Sequence, residues 1–141
     1  MIGRIREALD MLRGEASDCV PFSGMENVAR AERRYEEISE ALQRLDKSLF
    51  LAHTMAAMRP CPDAVMEHRF QSMAEASLQC AAGLRKDAAK NMAAVYVALG
   101  EHHLRRSDPE QCLTVWHRAL ALDSQSRLLR DKIAEVLDQL P

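Results

Sequence analysis

Aromatic side chains are scarce in this sequence of 141 residues: one Trp, two Tyr and three Phe, 4% in all. Sheets draw on aromatic and β-branched residues, so the shortage argues against a β architecture. No apolar run reaches about 18 residues, the length a membrane helix needs. No short apolar leader follows Met1, so the expectation is a cytoplasmic protein without membrane insertion. Neither sign of charge dominates, with 19 Lys and Arg against 21 Asp and Glu. No basic stripe can be drawn, and nucleic acid is not an expected partner. The four cysteines, Cys19, Cys61, Cys80 and Cys112, lack metal-type Cys-x-x-Cys spacing. Cys80 and Cys112 fall on apolar helix faces and read as small hydrophobes, a use that suits a reducing compartment.

What is present is Ala, Leu and Met, within an apolar fraction of 48% and a charged fraction of 28%. That balance is ordinary for a globular chain. Glycine and proline number five each and cluster between segments. The expectation is an all-α fold, one helical domain over 1–141, built from antiparallel helical hairpins. A chain of this length buries enough surface for a core without staples.

Ile2, Ile5, Leu9 and Leu12 share one face, so residues 1–13 read as a short amphipathic helix that Gly14 ends. Residues 14–25 hold Gly14, Ser17, Asp18, Pro21, Ser23 and Gly24 and read as a loop. From Glu26 to Met58 the residues Val28, Ala31, Tyr35, Ile38, Leu42, Leu45, Leu49, Ala52 and Ala56 alternate at spacings of three and four. That is the coiled-coil period over a helix of about 50 Å. Phe50, Leu51 and Met55 widen its apolar face, predicting deeper burial at that end. Pro60 stops it. Met66, Phe70, Met73, Ser77, Cys80 and Leu84 continue the alternation in a second helix to about residue 85. The connector is short, so 26–85 should form a long antiparallel hairpin. The long helix outruns its partner. Val28, Ala31, Tyr35, Ile38 and Leu42 then need a cover, either the N-terminal helix or a second copy in a homodimer.

Residues 87–126 read as another hairpin. Its second helix starts at Ser107-Asp108-Pro109-Glu110, a capping oxygen, a Pro whose missing N–H is harmless, and an acid in the first turn. Gly100, Cys112 and Ala119 are small, as two closely crossing helices require. Tyr96-Val97-Ala98-Leu99-Gly100, followed by Cys112, Trp116 and Ala119, resembles one tetratricopeptide repeat over 93–126. Tyr96 stands at the family's first aromatic, Leu99-Gly100 at its Leu-Gly pair, and His103 at its later Tyr. Ser124 replaces the closing Pro. The resemblance implies packing through Tyr96, Leu99, Gly100, His103, Cys112, Trp116 and Ala119. In the next unit Ile133, Ala134 and Leu137 take the inward positions, with 127–140 as a capping helix. Shifting the pattern back by one repeat does not recover the Leu-Gly pair, so the resemblance covers the last third of the chain.

No catalytic constellation is legible. There is no phosphate loop, nucleophile elbow or His-Glu-x-x-His. His102 and His103 are adjacent and project about 100° apart, so they cannot easily share a metal. His53, Met55, Met58, Cys61, Met66 and His68 gather soft donors of the kind that suit Cu(I), but such methionines read first as core filler. Cys61-Pro62 resembles the Cys-Pro pair of haem-responsive motifs over two residues only. The expectation is a non-enzymatic protein with no cofactor and no metal.

Tetratricopeptide arrays bind peptides or helices on the face formed by each repeat's first helix. The resemblance therefore implies a groove at Ala94, Val97, Glu101, Leu104 and Arg105, extended by Leu128, Asp131 and Glu135. Val97 and Glu101 break the pattern that holds a terminal carboxylate, and a mixed apolar and charged groove suits an amphipathic helix. The function expected is a protein-binding adaptor. A small secretion chaperone of the repeat type, a structural homodimer on the long helix and a metal-binding helical bundle are the alternatives.

Overall fold

The computed structural model describes residues 2–18, 25–58 and 63–141, and every described element is helical: α1 (Ile2–Asp18), α2 (Met25–Met58), α3 (Ala64–Arg105), α4 (Pro109–Leu122) and α5 (Arg127–Gln139). Of the positions named above, Cys19, Pro21, Ser23, Gly24, Pro60, Cys61 and Pro62 lie outside the described residues.

α2 and α3 run antiparallel. Arg85 of α3 reaches Asp46 at 2.6 Å, and the Tyr96 hydroxyl donates to Glu32 at 3.3 Å, so the register advances along one helix as it recedes along the other. α1 lies on this pair, parallel to α3. Its Arg6 contacts the Cys80 sulfur at 3.9 Å and its Arg13 pairs with Asp87 at 3.2 Å. Ile5, Leu9 and Leu12 of α1 enter one core with Val28, Ala31, Ile38, Leu42 and Leu45 of α2 and with Ala81, Leu84, Ala88 and Met92 of α3.

This packing corrects several expectations. Val28, Ala31, Ile38 and Leu42 are fully covered and Tyr35 is half-buried. The first turns of α2 therefore offer no seam to a second copy, because α1 already fills it. Gly14 does not end α1, which continues to Asp18. Nor does a break separate residues 85 and 87: α3 is one helix of 42 residues, about 63 Å long. Its inward positions keep their spacing from Ala81 through Leu84, Ala88, Met92, Val95 and Leu99 without a phase slip. A glycine stops a helix where a left-handed residue is needed. Gly83 sits in open space within the helix and no such need arises.

α3 does end on that geometry, although no glycine is there. Ser107 takes φ 60°. Its N–H reaches the Leu104 carbonyl at 3.0 Å and the Asp108 N–H reaches that of His103 at 3.0 Å, the paired bonds of a Schellman stop. Asp108 then caps α4 by accepting from the Gln111 N–H at 3.3 Å, with Pro109 in the first turn. Ser126 caps α5 through the Leu129 N–H in the same manner.

A second core joins α3, α4 and α5: Ala93, Cys112, Trp116, Ala119, Leu129, Ile133 and Val136. Tyr96 and Leu122 touch both cores and tie them together. Leu99, Gly100, Cys112, Trp116 and Ala119 are buried where expected, and His103 is half-buried. The expectation fails at Ala134 and Leu137, which are exposed. α5 meets its neighbours through Leu129, Ile133 and Val136, a stripe that leaves the flank of residues 134 and 137 in water.

Candidate interaction surface

The C-terminal hairpin is held by a contact only a residue without a side chain permits. Trp116 lies across Gly100, and its indole N–H donates to the Val97 carbonyl at 3.1 Å. Lys132 of α5 sits 6.0 Å above the same ring and pairs with Glu101 at 2.7 Å. This half-exposed pair links α5 to α3 across the indole, and exposed pairs of this kind contribute little by themselves.

Cys112 is enclosed in this core. Burial pushes its thiol up to about 11, with the Glu101 carboxylate adding to the shift and Lys132 opposing it. A thiol raised in the folded chain favours the fold below the ordinary thiol range, and that contribution is lost as pH rises through the shifted value. Near neutral pH its thiolate fraction is about a hundredfold below that of an unshifted thiol. Alkylation with iodoacetamide, followed by peptide mapping, should therefore modify half-buried Cys80 well before Cys112. Equal rates would contradict the enclosure.

Around this hairpin the structure gathers part of the predicted groove. Ala94, Val97 and Glu101 line one cleft of about 360 Å³ with Lys90, Ala93, Ala98, Asp123, Ser126 and Leu129. Ala94, Val97, Glu101, Leu104 and Arg105 follow one another on the face of α3 turned away from the three-helix core, as their spacing requires. Leu104 and Arg105 are exposed beyond the cleft. Leu128, Asp131 and Glu135 do not line it; they are exposed on the flank of α5 that carries Lys132. Glu101 is engaged by Lys132 rather than open along its whole carboxylate. The cleft thus has an apolar floor of Ala93, Ala94, Val97, Ala98 and Leu129 and a charged rim of Lys90, Glu101 and Asp123.

Among the described residues, most of the exposed large apolar side chains lie away from this groove, at the far end of α2 and the start of α3. Expected to be deeply buried, the end of α2 is bare: Phe50, Leu51, Met55 and Met58 are 70, 60, 66 and 77% exposed. Facing helix α3 adds Val65, Met66, Phe70, Met73 and Leu78, all exposed. The two helices protrude past the N-terminal end of α1 as an arm. Phe50 and Leu78 flank a cleft of about 330 Å³ on it, together with Leu49, His53, Gln71, Ala74 and Glu75. The signal that distinguishes the arm was present. Leu51, Met55 and Met58 form a second apolar stripe at i, i+4 and i+7, on the side of α2 opposite Leu42, Leu45 and Leu49. A helix with two apolar sides needs two partners, and α3 supplies one.

Among the described residues no group of three His, Cys, Asp or Glu side chains is placed to hold a metal ion, and no helix is long and apolar enough to cross a membrane. His102 and His103 stand with ring centroids 5.9 Å apart and tilted by 59°. Burial and the neighbouring Arg106 hold His102 below the usual imidazole range. No protein-family model, curated protein or solved structure matches this chain.

Proposed function

We propose that this chain is a non-enzymatic protein-binding adaptor whose C-terminal hairpin is of the tetratricopeptide type, and that its groove takes an amphipathic helix of a partner protein. The observation that supports this most is the cleft over Ala94, Val97 and Glu101, with its apolar floor and charged rim. An amphipathic helix offers one apolar stripe flanked by charges and matches that distribution. Leu104 and Arg105 extend the same face of α3 by one turn, and a bound helix running along α3 reaches both. The small residues at the crossing, Gly100 under Trp116 above all, are what the repeat family uses to bring two helices together.

The test is comparative capture from the native cell, using wild type, Val97→Glu and the pair Leu104→Glu with Arg105→Glu. These substitutions lie on exposed or half-exposed positions, so helicity should be unchanged. Proteins held by the groove should fall at least about tenfold in recovery with both variants. Recovery of the same proteins in the same amounts by all three sinks the groove reading.

A further inference from the structure

We propose that the exposed arm of α2 and α3 is a self-association surface, and that its occupant is the arm of a second copy of this chain. The first argument is area. Among the described residues of 50–78, nine large apolar side chains are exposed. Together they present on the order of 1,000 Å², against about 300–600 Å² for the largest patch on an ordinary monomer and about 800 Å² per partner in a stable interface. Apolar surface of that extent on one end of the molecule, repeated on each copy, supplies what a two-fold dimer needs.

The second argument is continuity with the packing already in the molecule. Met66, Met73, Cys80 and Asp87 stand seven residues apart on α3 and share one face. α1 covers the lower half of that face, through Arg6 at Cys80 and Arg13 at Asp87. Past Arg6 the same face continues at Met73 and Met66, and no described helix lies on it. A helix from a second copy would occupy there the place that α1 occupies below. Two such hairpins meet as a four-helix bundle, the arrangement that apolar stripes at this period favour. Charge opposes the pairing little: residues 48–58 carry no formal charge with His neutral, and residues 59–78 sum to −1, Arg59 and Arg69 against Asp63, Glu67 and Glu75. Methionine dominates the surface, and its flexible thioether adapts to an opposing copy of itself.

The pairing leaves the proposed groove free, since Val97 is 24 residues beyond Met73 on α3, about 36 Å along its axis. Dimerisation and groove binding therefore fail independently.

Light scattering during gel filtration tests the proposal. Wild type should run at the mass of two chains, and the triple variant Leu51→Asp, Met55→Asp, Met73→Asp at the mass of one. Its dissociation constant should rise by about a hundredfold or more. All three side chains are exposed within one chain, so circular dichroism should show the same helicity. Val97→Glu, outside the arm, should remain a dimer. Wild type at the mass of one chain overturns the proposal and leaves the arm to a helix of another protein or to a lipid surface. A triple variant that stays dimeric overturns it by placing the contact elsewhere.

Discussion

Replacing Gly100 with Ala should destabilise the protein, although the substitution favours a helix. Within a helix, Ala gains about 1 kcal/mol over Gly. Here the added methyl would lie 2.1 Å from Trp116 Nε1, 2.3 Å from Cδ1 and 2.9 Å from Cε2. The indole is a rigid plate, and it is tied down by its bond to the Val97 carbonyl at 3.1 Å. Either α4 must move off α3 or Trp116 must leave its seat. Overpacking of this kind costs about 1–3 kcal/mol, so the net sign is a loss. Trp116→Ala alone should cost about 3–5 kcal/mol, as for other buried Trp. The cycle is the sharper test. With Trp116 already truncated, Gly100→Ala no longer meets the ring, and the same substitution should stabilise by about 1 kcal/mol. Urea unfolding at one protein concentration reads all three. A neutral or stabilising Gly100→Ala in the wild-type background would mean the two helices are not in contact at that point.

That contact was legible from the residues themselves. Gly100, Cys112 and Ala119 are small at intervals that put them on facing sides of two helices, and Trp116 is the only indole in the chain. The start of α4 was legible too, because Asp108-Pro109-Glu110 admits few other conformations. The ends of α1 and the course of α3 were not. Gly14 looks like a terminator, yet a glycine terminates only where its positive φ is used. Among the described residues the position that does use a positive φ is Ser107. There the two Schellman bonds and the Asp108 cap on α4 fix a geometry that serine by itself disfavours.

Periodicity showed which residues of α2 are apolar but not what covers them. Val28 through Leu45 and Leu49 through Ala56 keep the same alternation, and nothing in that alternation marks where α1 stops. The boundary is set by length. α1 has 17 residues against 34 in α2 and 42 in α3, so one half of the α2–α3 pair is roofed and the other is bare. α5 failed for a related reason. A stripe of Leu129, Ile133, Val136, Leu137 and Leu140 is wider than the contact available, and α4 and α3 accept only its first three members.

The second large effect follows from that roof. Leu12→Ala should cost about 2–5 kcal/mol, the range for truncating a fully buried leucine. Leu12 is 0% exposed, in the core that α1 completes over Ile38 and Leu42. Its neighbour Met11 is 52% exposed, and Met11→Ala should change stability by no more than about 0.5 kcal/mol. Both substitutions place Ala in the same helix one residue apart, and propensity differs little between them. The difference therefore isolates burial against α2 and α3. Both are measured at one protein concentration, because association raises apparent stability as concentration rises. Similar small losses at the two positions would mean that α1 is not seated on the pair. Val28, Ala31, Ile38 and Leu42 would then be open to a second copy, and the division of α2 into a roofed half and a bare arm would fail with it.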